Sequence, residues 1–308
     1  MLSALLAGAL IVVASLVLGA AVMVLAGRPR HSAAGPAVGL SALLVVCGIA
    51  VKLPGHGVTA AVAAGLAIVA SLAILVRSDA PVGSVRFGAV VAVVGAVLVV
   101  AIPFATNGRI GILGQGLVND DMASHLLFTE WVDTREGPTP DLVEDGYPLG
   151  PHAVVSAATK ASGADLIEGF AGLTGAIAVL LALTAYGALR GAREPLRAPA
   201  AVLAASAYLV AAYLAQGAFK EPMLGLAILG FALTLPALRG RWSSIAGLPA
   251  GVIAAGTIYN YSFPGLAWLI GTAVFWALLV AWQDRGRRAA FSSAAECAPR
   301  DRRSSRRR

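Results

Sequence analysis

The sequence predicts an all-α fold: a polytopic membrane helix bundle of about nine transmembrane helices, with one long extracytoplasmic loop containing short surface helices. Two observations carry that prediction. Hydrophobic residues make up 58% of the 308-residue chain and charged residues only 13%, against about 45–50% and about 25% in soluble domains. So large an apolar fraction cannot all be buried in one core of a chain this size, and the excess must face lipid. The second observation is the recurrence of apolar runs close to the ~20 residues that cross a ~30 Å hydrocarbon layer as a helix.

Nine such runs occur, at about 2–26, 33–51, 57–76, 88–105, 169–189, 198–218, 222–238, 244–258 and 263–282. Pro36 and Pro249 interrupt or shorten the second and eighth. The chain thus divides into four N-terminal spans (1–105), a loop (106–167), about five further spans (168–282) and a basic tail (283–308). The tail lacks apolar periodicity and is expected to be disordered. It reads either as a polybasic segment for anionic lipid or as the out-of-frame or truncated end of a longer gene.

Orientation follows from the short connections, because cytoplasmic loops are enriched in Arg and Lys. Alternate connections carry Arg28 and Arg30, then Arg77 and Arg86, then Arg190, Arg193 and Arg197, then Arg239 and Arg241, then the tail. These belong inside. The others hold Lys52, the 106–167 loop, Lys220 with Glu221, and the uncharged Tyr259–Ser262 stretch, which places them and the N-terminus outside. With no basic n-region and no small-residue cleavage site, the first run reads as a span and not a cleaved signal. The Ala-, Val- and Arg-rich composition suggests a GC-rich bacterial genome, and the expected location is the bacterial plasma membrane. A net charge of +7 does not indicate nucleic-acid binding, since nine of the 23 basic residues lie between Arg285 and Arg308. Cys47 in a span and Cys297 in the tail form no metal or disulfide pattern.

The 62-residue loop holds nine acidic and three basic residues (Arg109, Arg135, Lys160), a local charge of −6 that leaves +13 elsewhere. Loops this long inside a compact protein are usually functional. Asn119 reads as a helix N-cap, with Asp120 and Asp121 at the positive end of the helix dipole. Residues 122–132 continue as a helix lying along the membrane surface, with Leu126, Leu127 and Trp131 available for its apolar face. Asp121 and His125, four apart, share one side of it. Gly137, Pro138 and Pro140 end it. A turn-rich element, Tyr147-Pro148-Leu149-Gly150-Pro151-His152, follows, and a helix leads back to the membrane from Ala153.

Adjacent carboxylates on the outward side of a membrane protein can act as general base toward a lipid-borne substrate; a capped helix start without chemistry has the same local sequence. In topology and motif the chain resembles the GT-C superfamily of membrane glycosyltransferases. The resemblance rests on Asp120-Asp121 followed by Ala123, His125 and Leu126, on the Tyr147 to His152 turn, and on Lys220-Glu221 at the outer end of a later span. It covers about residues 88–280. Four spans precede the motif loop where many members have one, and the chain ends early.

The resemblance implies inverting sugar transfer from a polyprenyl-phosphate donor to a glycan or lipid-linked acceptor of the cell envelope. Asp120 would be the base and Lys220 the charge facing the departing phosphate, with Arg109 and His152 next. His125, Tyr147 and Glu221 complete the substrate-binding set. Asp121 and His125 could help hold a divalent cation, Mg or Mn. Three bland assignments stand beside these: Lys220 snorkelling at a helix end, His152 as a turn residue, and Tyr259 and Tyr261 as interfacial belt. Two other functions are weighed. A transporter or flippase is expected to carry ionisable groups deep in its spans, and run 169–189 has none. A noncatalytic membrane subunit would keep the shape without the chemistry.

Overall fold

The structure is a computed structural model that describes residues 2–81, 86–106, 121–207, 218–239 and 244–296. Every regular element among them is helical. In chain order these are α1 (Leu2–Leu25), α2 (Gly35–Ala50), α3 (His56–Arg77), α4 (Phe87–Thr106), α5 (Asp121–Thr134), α6 (Asp141–Glu144), α7 (Gly150–Ser162), α8 (Leu166–Ala188) and α9 (Glu194–Ala205). Then follow α10 (Lys220–Thr234), extended by a 3₁₀ turn to Leu238, α11 (Ser244–Tyr261) and, after a 3₁₀ turn at Phe263–Gly265, α12 (Leu266–Glu296).

Among the described residues, five segments are long and apolar enough to cross a bilayer: Leu2–Leu25, His56–Arg77, Leu166–Ala188, Lys220–Leu238 and Phe263–Arg285. Of the other expected spans, 33–51 corresponds to the shorter α2, 88–105 to the apolar 20-residue α4, 244–258 to α11, and 198–218 only in part to α9, residues 208–217 lying outside the described ones. With 16 residues, α2 is about 24 Å long at 1.5 Å per residue. Pro36 does not interrupt it, because the proline sits in the first turn, where its missing N–H has no intrahelical partner to lose. Pro249 lies inside α11, near its start, so the helix runs through it.

Hydrocarbon removes the hydrophobic drive for helix association, and small residues that let backbones approach take its place. On α1, Ser15 and Gly19 meet Gly35 and Gly39 of α2: a Cβ added to Gly39 would stand 1.6 Å from the Ser15 carbonyl oxygen, and one on Gly19 would stand 2.0 Å from that of Gly35. Gly8 of α1 packs the same way on Gly172 of α8. From α2 outward, Ala37 fills the space over Gly230 of α10, Ser41 that over Gly256 of α11, and Gly48 receives the Tyr259 ring. Helix α2 is accordingly buried along most of its length.

The connections sort to two ends. At one, arginines close helix termini. Arg28 donates to the carbonyls of Thr234 (3.3 Å) and Ala246 (2.9 Å). Arg30 donates to those of Leu75 and Ser78, and Arg190 to that of His31. Arg197, only 3% exposed, pairs with Glu194, which also accepts from the Tyr186 hydroxyl. Arg239 pairs with Asp284. At the other end lie the start of α3, helices α5 to α7, and the starts of α8, α10 and α12.

Two expectations are corrected. The stretch 150–162 is not a surface helix: residues Gly150 to Thr159 of α7 are all buried, wedged against α1, α2, α3, α5 and α8. The segment after Trp282 is not irregular up to Glu296, since α12 continues that far. Its Ala, Arg, Gln and Glu content favours a helix. Residues 297–308, including Cys297, lie outside the described ones.

Because the α1–α2 contact leaves no room for a side chain, Gly39→Ala is expected to lower stability in detergent by about 1–3 kcal/mol, the usual cost of overpacking. Gly65→Ala is the control, since its Cβ would meet nothing within 4 Å and alanine favours the helix by about 0.5–1 kcal/mol. Thermal melts of the two variants check this; equal midpoints would contradict the packing account.

Candidate functional site

Helix α5 opens at Asp121 and stops at Thr134, followed by Arg135 and Gly137 at φ +57° and +76°. Its buried face is Met122, His125, Phe128, Thr129 and Val132, an i, i+3, i+4, i+7 stripe around His125. Leu127, expected on the apolar face, is exposed, and Leu126 and Trp131 are only half-buried. The side chain buried at the helix centre is thus the histidine. On the same helix Asp133 accepts from Ser156 (2.8 Å) and pairs with Lys160 (2.7 Å) of α7. That carboxylate lies against Gly57 in the first turn of α3, where the helix dipole favours negative charge.

The Tyr147 to His152 element does three local jobs. Gly146, at φ +89°, makes the turn into it. Gly150 lets α7 begin against the Tyr259 carbonyl, 2.5 Å from where a Cβ would be, and Pro151 occupies the first turn. His152 then falls one residue further in, fully buried, so it is a packed side chain and not a turn residue. Its Nε2 lies 3.1 Å from Nδ1 of His125. Around the pair stand Phe128, Tyr147, Phe170 of α8 and Phe219, with the Phe219 ring centroid 4.5 Å from that of His125.

Lys220 enters from the start of α10. Its Nζ lies 3.6 Å over the Tyr147 ring and 5.8 Å from that of Tyr261, a cation–π arrangement of about 0.5–2 kcal/mol. It does not simply reach out along a helix end. Asn260 Nδ2 donates to the Lys220 carbonyl at 3.1 Å, and the Tyr261 hydroxyl reaches Glu221 at 3.5 Å. The structure therefore brings five of the residues singled out from sequence to one place: His125, Tyr147, His152, Lys220 and Glu221. Arg109 and Asp120 lie outside the described residues. Asp121 is described only as the first residue of α5, four positions before His125.

Sequence reasoning missed Phe128, Phe170, Phe219, Asn260 and Tyr261. For Phe128 the signal was present, three residues after His125. For Asn260 and Tyr261 it was an uncharged polar and aromatic stretch between two apolar runs, which reads equally as an interfacial belt. Tyr259 and Tyr261 instead face the protein, one on Gly48 and one beside Lys220.

Burial holds the His152 imidazole well below the usual histidine range, and the nearby His125 and Lys220 push it further down. His152 is therefore neutral at pH 7 and supplies no positive charge for a phosphate. Its Nδ1 has no hydrogen-bond partner among the described residues. Among the described residues no group of three or more His, Cys, Asp or Glu side chains gathers as a metal site, and Nδ1 of His125 is turned to His152. The Asp121 side chain, the other half of the cation pair that the resemblance implies, is not among those described. Comparisons with protein families, with curated proteins and with solved structures find no match.

A histidine kept neutral in the folded state resists a proton that the unfolded chain accepts. Stability is then full above the unfolded value of about 6.5 and falls as pH drops below it. Melts between pH 5 and 7.5 should show the wild type losing midpoint on acidification and His152→Gln losing less. An identical slope in the two proteins would remove His152 as the cause.

Proposed function

We propose that this chain is a membrane glycosyltransferase that moves a sugar from a polyprenyl-phosphate donor to a cell-envelope acceptor on the extracytoplasmic side of a bacterial plasma membrane. One observation supports the reading above the others. Residues from three well-separated stretches, His125, Tyr147 with His152, and Lys220 with Glu221, converge at the end of the bundle to which the acidic loop belongs. The opposite end collects the arginines of the connections read as cytoplasmic. A bundle with about nine crossings and the N-terminus outside agrees with that sorting.

The chemistry follows from the roles. Asp120, with Asp121 beside it, takes the proton of the acceptor hydroxyl as the oxygen attacks the anomeric carbon. The bond from that carbon to the phosphate oxygen breaks on the opposite face, and the configuration inverts. The departing polyprenyl phosphate keeps the electron pair and needs compensating positive charge where it develops. Lys220 is suited to give it: its ammonium lies over the Tyr147 ring at the start of α10, and aromatic faces orient a cation. The His125–His152 pair and the surrounding rings pack beneath it and hold Tyr147 in place.

Purified protein incubated with a panel of polyprenyl-phosphate sugars is expected to transfer one of them. Asp120→Asn or Asp121→Asn should lower the rate about 10²–10⁴-fold, the usual loss of a general base. Lys220→Met should cost about 10²-fold or more with membrane insertion intact. Full activity in both aspartate variants would sink the proposal.

A further inference from the structure

Helices α2, α10 and α11 meet around a cavity of about 10 Å³. Most of its wall is apolar, with Leu44 of α2 and Met223 and Ala227 of α10 among the lining residues, but Ser41 of α2 and Thr257 and Asn260 of α11 add polar side chains. Thr257 and Asn260 stand one turn apart and share a side of their helix. Close packing brings the serine to them, since a Cβ added to Gly256 would stand 2.5 Å from that of Ser41. All three polar residues are buried, Asn260 with 2% of its surface exposed.

The asparagine is only half satisfied. Its Nδ2 donates to the Lys220 carbonyl at 3.1 Å, whereas its Oδ1 is buried and has no hydrogen-bond partner among the described residues. Turning the amide over would set Oδ1 against the Lys220 carbonyl oxygen, acceptor against acceptor, so the backbone of Lys220 fixes its orientation. Thr257 donates its hydroxyl hydrogen to the Ile253 carbonyl at 2.8 Å and keeps lone pairs for a further donor. Ser41 brings a hydroxyl that can donate or accept. Buried polar atoms are expected to find partners, and a bare amide oxygen in an apolar wall is costly.

We propose that this cavity binds one water molecule, which donates to Asn260 Oδ1 and is held on its other side by the hydroxyls of Ser41 and Thr257. The volume sets the number, because a single water requires about 10–15 Å³. The polar side chains of Ser41, Thr257 and Asn260 supply the ~2–4 partners that a buried water needs. A hard cation would want more oxygens and a carboxylate among them, and no Asp or Glu lines the wall. Through this water α2 is linked to Asn260, and through Asn260 to the turn that opens α10 at Lys220. The site does not rest on the proposed sugar transfer, and its test reads no activity.

The test is a crystal structure of the full chain in a lipidic phase, at a resolution that shows ordered water, joined to infrared spectra of protein carrying isotope-labelled asparagine carbonyls. One peak should lie about 2.7–3.0 Å from Asn260 Oδ1 and within the same reach of the Ser41 or Thr257 hydroxyl. Accepting a hydrogen bond weakens a carbonyl bond, so the Asn260 band, isolated by subtracting the Asn260→Leu spectrum, should lie at lower frequency than that of an unbonded amide. Ala227→Val fills the cavity and should remove the peak and raise that frequency. An empty cavity, a protein group bonded directly to Oδ1, a peak ringed by about six oxygens at about 2.3–2.6 Å as for a cation, or a band unmoved by Ala227→Val would each overturn the proposal.

Discussion

The space between Ser15 and Gly39 is the constraint on which the rest of the molecule depends. With the Ser15 carbonyl where the Cβ of any other residue would be, α1 and α2 touch backbone to backbone. A 16-residue helix too short to span the hydrocarbon alone becomes the hub of the bundle. Its other contacts pass the position on. Gly48 seats Tyr259, the Tyr259 carbonyl abuts Gly150, and Gly150 sets the start of α7, two residues before His152. A chain of close contacts thus runs from the centre of the bundle to the histidine pair, and each link requires a glycine. In a soluble protein such a chain would be reinforced by burial of apolar surface; in lipid, packing distance has to do it.

How much of this was legible follows from what each signal measures. Hydropathy runs located the helices because backbone groups in hydrocarbon must pair within the segment, which leaves little choice of structure. The same measure failed on α7. Gly150 to Thr159 are small and mixed in polarity, so they look like surface, and they are buried because their smallness admits them between larger helices. Helix α5 was placed within two residues, but its inward face was misjudged: ranking by hydrophobicity selects Leu126, Leu127 and Trp131, whereas the periodic stripe centres on His125. Of the candidate site, His125, Tyr147, His152, Lys220 and Glu221 were found by residue type and motif, and Asn260 was not. The rings around them were not, because an aromatic residue in an apolar chain carries no distinguishing mark.

The arginines at the opposite end bear on how charge is read in such a chain. Cytoplasmic enrichment accounts for where they are, yet they also have structural work. Arg28 and Arg30 each reach two carbonyl oxygens near helix ends where acceptors are left over. A forked guanidinium can satisfy two acceptors at once, and an ammonium at the end of a flexible stem does so poorly. The predominance of Arg over Lys therefore has a geometric reason beyond base composition.

The three lysines complete the contrast. Lys52 is exposed, Lys160 is paired with Asp133, and Lys220 lies over Tyr147. A point charge with three rotatable donors suits a position where an anion must be met and then released, since it imposes no fixed bidentate geometry. Holding it over the Tyr147 ring keeps the cation oriented. Replacing Lys220 by Arg would preserve charge but lay a planar fork across the Tyr147 face, and the larger, better-stacking group would compete with the ligand for its own donors. The transfer proposed for this site thus turns on Lys220 being a lysine, as the packing at the other end of the bundle draws on its arginines.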